Sequence, residues 1–90
     1  MKYFAVFLFM KDEELSKLHR PEHLAFLENQ RQAGTVLMNG RFTDGAGGLV
    51  IYCAADEAEA ISLVKKDPYI ALGARDFELH EWEMVSNYEF

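Results

Sequence analysis

Lys2-Tyr3-Phe4-Ala5-Val6-Phe7-Leu8-Phe9-Met10 decides the fold. Read as a strand, it sends Tyr3, Ala5, Phe7 and Phe9 to one side and Phe4, Val6, Leu8 and Met10 to the other. Both sides are apolar, so the strand belongs in the middle of a sheet. Leu49 to Cys53 repeats the pattern. Two further stretches read differently. Thr35 to Phe42 holds Val36, Leu37 and Met38. Arg75 to Val85 puts Phe77 and Leu79 on one side and Trp82 on the other, and its Asp76, Glu78, Glu81 and Glu83 make it the most polar of the four. Central positions for the first and third strands, and edges for the second and fourth, follow from this contrast.

Between the strands lie two helices. The first runs from about Pro21 to Ala33. Pro21 is tolerated in a first turn, where its missing N–H is not needed, and Gly34 fits the stop. Asp56-Glu57-Ala58-Glu59 opens the second, with Asp56 placed to cap and Glu59 standing where a capping-box acid belongs. Ala58, Ile61 and Val64 recur on one face, joined by Ala60 towards its edge. Lys65 and Lys66 close the helix favourably against its dipole. Asp67-Pro68 breaks it, and Tyr69 to Gly73 forms at most one more turn. Lys11 to Lys17, rich in charge, reads as a loop with room for a helical turn. Asp44-Gly45-Ala46-Gly47-Gly48 is glycine-rich, but no Gly-Lys-Ser/Thr follows and a strand comes next. A hairpin turn fits better than a phosphate loop.

The order βαββαβ is the ferredoxin-like α+β arrangement: an antiparallel four-stranded sheet with two helices on one face. The other face keeps its apolar side chains. A patch of that size drives association, which predicts a homodimer joined through the helix-free sheet face. Seven Phe, four Tyr and one Trp in ninety residues point the same way.

Ninety residues make one domain, 1–90. The net charge of −6 repels phosphate backbones and argues against nucleic acid as a ligand. The apolar run Tyr3 to Met10 is too short to span a membrane, and charges rather than a cleavage site follow it. The lone cysteine, Cys53, lies among apolar residues and has no internal partner, in keeping with a cytoplasmic setting.

Candidate chemistry centres on Arg20-Pro21-Glu22-His23-Leu24-Ala25-Phe26-Leu27. At 100° per residue, Phe26, His23, Leu27 and Leu24 share one arc, with Gln30 inside it and Arg20 and Arg31 towards one edge. His23 sits near the middle of a face that must be buried. An imidazole there needs a hydrogen-bond partner, a chemical task, or both. Asp67 can reach it, because both helices cover the same sheet face. A carboxylate on one ring nitrogen fixes the tautomer and leaves the other as a base. Two plainer readings stand beside this. Asp67 suits an N-cap with Pro68 at the first helical position, and His23 suits a satisfied core histidine. Arg20 can hold an anionic substrate. Arg31 reads as solvated rim. His19 and His23 are four apart, but Pro21 intervenes, and with only His80, Cys53 or an acid as third ligand no metal is expected. Tyr3, Tyr52 and Tyr69 offer hydroxyls to a pocket or rings to the core. Ser16, Ser62 and Ser86 have no evident base and no nucleophile elbow exists, so covalent catalysis is unsupported.

In these residues the chain resembles the YciI-like family of the dimeric α/β barrel superfamily. The likeness runs from Lys2 to about Trp82. It rests on Arg20 to Leu27, Ala33-Gly34, Gly40, Asp44-Gly45, Gly47-Gly48-Leu49-Val50-Ile51, Glu57-Ala58 with Ala60, Asp67-Pro68-Tyr69, Gly73 and Trp82. The resemblance implies a ferredoxin-like protomer in a dimeric α/β barrel, with a His and an Asp, here His23 and Asp67, at a proposed active site. Where the family often has Pro after the second-strand glycine, this chain has Arg41, which alters the pocket and adds a cation. One branch of the family eliminates chloride from a chlorinated hydroxyhydroquinone.

Two functions remain open on this reading, beside a purely structural dimer with no ligand, which follows if no cleft adjoins His23. One is a cofactor-independent enzyme that uses His23 and Asp67, with Arg20 on the substrate, for proton abstraction, elimination or isomerisation on a small cyclic or aromatic molecule. The other is a dimeric small-ligand-binding or accessory protein without chemistry.

Overall fold

The computed structural model describes residues 1–89. Four strands, β1 (Lys2–Met10), β2 (Val36–Arg41), β3 (Gly47–Ala54) and β4 (Arg75–Glu81), form one sheet in the order β2-β3-β1-β4. Every neighbouring pair is antiparallel. The first and third strands are central and the second and fourth are edges, as their patterning requires. This is the ferredoxin-like α+β fold.

Register explains the core. Phe4 faces Tyr52 and Val6 faces Val50 across β1 and β3, while Val6 and Leu8 face Leu79 and Phe77 on β4. These side chains lie under helices α2 (Arg20–Ala33) and α3 (Glu57–Lys66), where Leu27, Ala60 and Val64 complete the cluster. On the other face Phe7 is half-buried and Phe9 exposed, and both Phe9 and Phe42 stack against Phe7, at 6.2 and 6.4 Å between centroids. Met38 and Trp82 are exposed, and Leu49 is half-buried.

Local chemistry sets the ends. Gly34 closes α2 at φ 83°, a left-handed conformation that disfavours other residues. Asp56 caps α3 by accepting from the Glu59 N–H at 2.9 Å, and the Glu59 carboxylate reaches back to the Ala55 N–H at 3.4 Å. Gly47 has φ 144°, and a Cβ there would stand 1.8 Å from the Leu8 carbonyl oxygen.

Four details depart from the sequence reading. Lys11 to Lys17 is largely helical: α1 (Glu13–Leu18) is capped by Asp12, which accepts from the Leu15 N–H at 3.0 Å. Glu13 and Glu14 at its start and Lys17 at its end suit the dipole, a pattern that resembles loop charge when read as composition. β4 stops at Glu81, where pairing with Phe4 of β1 ends; beyond it only the Trp82 N–H continues, donating to the Tyr3 carbonyl at 2.7 Å. In α2 the buried stripe is His23, Phe26, Leu27 and Gln30, and Leu24, at the rim of the arc, is exposed. In α3 Ala60 and Val64 are the buried centre and Ala58 is exposed.

One irregularity reaches the site. The β2–β3 register shifts between Val36 and Met38. Such a bulge adds one residue and reverses which face later residues take. Arg41 therefore falls opposite Gly48, in line with Leu8 of the helix-covered face.

Candidate functional site

His23 and Asp67 meet. The His23 Nδ1–H lies 2.8 and 2.9 Å from the two carboxylate oxygens of Asp67. The His23 side chain keeps a tenth of its surface and Asp67 keeps none. Asp67 arrives there as the junction between α3 and the short helix α4 (Pro68–Ala71). Its Oδ1 also accepts from the Tyr69 N–H at 2.9 Å, capping α4. Capping its own turn and holding the imidazole are thus performed together by one carboxylate.

The tautomer follows. An ionised carboxylate only accepts, so Nδ1 carries the hydrogen and Nε2 of a neutral ring presents its lone pair. Among the described residues, Tyr52 Oη is the sole fully buried side-chain nitrogen or oxygen without a hydrogen-bond partner. Nε2 has no hydrogen-bond partner among the described residues and is not fully buried, so it belongs to the tenth of the side chain that meets solvent.

Three neighbours frame the pair. The Tyr69 ring stacks on His23, with centroids 3.8 Å apart and planes at 11°. The Arg75 guanidinium carbon lies 4.6 Å from the centre of that same tyrosine ring, and Arg75 Nε donates to Ser16 Oγ at 3.1 Å. Tyr52 is wholly buried; desolvation, then the charge of Asp67, push its phenol well above the ordinary value of 10.0 and keep it protonated.

Beside this cluster is a cavity of about 220 Å3. Tyr69, Arg20, Arg41, Arg75, Lys17 and Glu13 are among its walls. His23 is not; Tyr69 connects it to the cavity by the stack. A second hollow, of about 330 Å3, opens on the helix-free face between Met38, Leu49, Ile51 and Trp82, and Arg41 and Phe42 border both.

The other candidates fall as follows. Arg20 borders the cavity. Arg31 donates to Asn39 on β2 instead. His19 sits between α1 and α2, with its Nδ1 2.7 Å from a Glu22 carboxylate oxygen; its carbonyl accepts from the His23 N–H at 3.0 Å, but the two side chains do not meet. Tyr3 is half-buried at the start of β1, Cys53 is a free buried thiol, and His80 contacts Glu78 on exposed β4. Arg75 and Ser16 were not singled out for this site by sequence reasoning. Arg75 carries no local signal, being the first residue of an edge strand, and Ser16 lay in the supposed loop.

The fold has counterparts among known proteins. The fold matches that of 5-chloro-2-hydroxyhydroquinone dehydrochlorinase from Burkholderia phenoliruptrix AC1100, solved with 2,5-dihydroxybenzoquinone. The TM-score is 0.77 with 20% identity, covering 92% of this chain and 95% of that one. In sequence the chain is 28% identical over 82 residues to the uncharacterised protein YjpA of Bacillus subtilis (strain 168), covering 91% of this chain and 96% of that protein. The family profile of the YCII-related domain matches residues 1–83. The chain therefore belongs to the YCII-related domain family.

Proposed function

We propose that this protein is a small-molecule enzyme in which His23 is a general base, oriented by Asp67, acting without a cofactor on a small cyclic or aromatic substrate. The observation that carries the reading is the two-oxygen grip of Asp67 on His23 Nδ1, which leaves Nε2 as a lone pair within reach of solvent. Nε2 takes a proton from the substrate. The electron pair left behind either expels a leaving group such as chloride, forming a double bond, or is reprotonated at another carbon, giving an isomer. Arg20, on the adjacent cavity, offsets the negative charge that builds on the substrate. A fold neighbour that eliminates chloride from a hydroxyhydroquinone supports this class. The protein is proposed to act as a homodimer joined through the apolar sheet face, in a reducing cytoplasm that suits the free thiol of Cys53.

The test is chloride release, or loss of substrate absorbance, with chlorinated hydroxyhydroquinones and related cyclic enols. Where turnover is found, His23→Ala is expected to lower it by about 10²–10⁴-fold. Turnover unchanged in that variant overturns the role of His23.

One observation favours a second reading, ligand binding without chemistry: Tyr69, rather than His23, forms the cavity wall. On that reading 2,5-dihydroxybenzoquinone binds equally well before and after His23→Ala, and no candidate substrate turns over.

A further inference from the structure

The charges around the cavity are not those of the whole molecule. The chain carries fifteen acids against nine bases, yet Lys17, Arg20, Arg41 and Arg75 surround this one cavity with Glu13 as their sole acid. Two of the four bases are already engaged. Lys17 pairs with Glu13 at 3.6 Å, and Arg75 is held by Ser16 and by the Tyr69 ring. Arg20 and Arg41 have neither an ion pair nor a side-chain hydrogen bond among the described residues. They come from different elements, the first residue of α2 and the last of β2, and the bulge in β2 is what brings Arg41 to the helix-covered side. Both side chains are exposed and border one small volume, so an anion lying between them gains from both charges.

We infer that this cavity binds a small dianion, a ring bearing two carboxylate or equivalent anionic groups, one held by Arg20 and the other by Arg41. Each planar fork matches one carboxylate through two parallel N–H donors. Size fixes the scale. At about 30 Å3 per water, 220 Å3 holds about seven waters, below the usual range for drug-sized ligands. A ligand of on the order of ten non-hydrogen atoms suits that volume. Phe42 supplies apolar wall for its ring. The ring rests on the function proposed above; the two charges do not.

Titration calorimetry of the full chain at low salt tests this, with benzoate and the three isomeric benzenedicarboxylates as probes. At least one dicarboxylate is expected to bind ten- to a hundredfold more tightly than benzoate. Arg20→Gln and Arg41→Gln should each abolish that advantage, and Arg31→Gln, outside the cavity, should leave it. Circular dichroism of each variant verifies the fold. The inference is overturned if no dicarboxylate exceeds benzoate, or if the advantage survives either cavity substitution. His23→Gln separates it from the enzyme reading: the preference for two charges persists there, so loss of turnover with intact dicarboxylate binding implicates the base alone.

Discussion

Asp67 is the residue whose loss reaches furthest. Its carboxylate caps α4 and holds His23 from a site with no solvent contact. Asp67→Ala is expected to cost about 2–4 kcal/mol in urea denaturation, combining a lost cap with a charged hydrogen bond. Asp67→Asn, which keeps an oxygen for the cap, should cost less. Tyr52 behaves in the opposite way. Its buried hydroxyl has no partner, so Tyr52→Phe should be neutral or stabilising at pH 7. The sign with pH is fixed by the raised phenol. Above the unfolded value of 10.0 the unfolded chain loses this proton while the folded one keeps it, so the wild type loses stability as pH rises. Denaturation at pH 9 and pH 11 should show Tyr52→Phe gaining about 1.4 kcal/mol on the wild type over that interval. An unchanged gap would mean that the phenol is not held protonated. At this scale the sequence showed part of the site. Helical spacing put His23 on the buried face, and the topology allowed Asp67 to approach it. The Tyr69 stack and the Arg75 contact were illegible, because each depends on distances between residues that no local pattern relates.

Among the elements, the β2–β3 hairpin is the least tolerant. Gly47 combines a positive φ with a clash against the β1 backbone for any side chain. Backbone cannot move aside as a flexible side chain can. Gly47→Ala is expected to lose on the order of 3 kcal/mol or more, read from the denaturation midpoint. Gly45, also at positive φ but in open space, should lose only about 1 kcal/mol as Gly45→Ala. Strand identity was legible wherever a continuous apolar run met a clear breaker, as in β1 and β3. Element ends were less so. β4 ends where its neighbour ends, and the bulge in β2 is visible only once both strands are paired. The helix α1 was hidden because its support is a cap and Ser16, whose hydroxyl donates to the Ala74 carbonyl 58 positions away, rather than an apolar stripe.

For the molecule as a whole, the sheet has helices on one side only. Phe7, Phe9, Phe42, Met38, Leu49 and Trp82 lie on or beside the bare side. Light scattering at micromolar concentration is expected to give twice the chain mass of 10.3 kDa. Phe7→Lys should bring it to one chain with the circular dichroism unchanged, since Phe7 lies outside the buried cluster under the helices. A wild-type monomer would remove the proposed dimer and leave the fold intact. Fold class was the most legible level of all, because it needs only the order of elements and the contrast between central and edge strands.

Arg41 and Phe42 border both the cationic cavity and the hollow on the bare face. A partition shared by two chambers makes them a single thermodynamic system. Any change in the partition's preferred position that favours an occupant on one side alters the free energy of filling the other, by an equal amount whichever is filled first. Subunit association and anion uptake should consequently be linked functions. Raising the concentration of a dicarboxylate is expected to displace the monomer–dimer midpoint measured by sedimentation, and Phe7→Lys, held monomeric, should differ in affinity for that dicarboxylate; with one cavity per chain, saturation changes the association constant by the square of that affinity ratio.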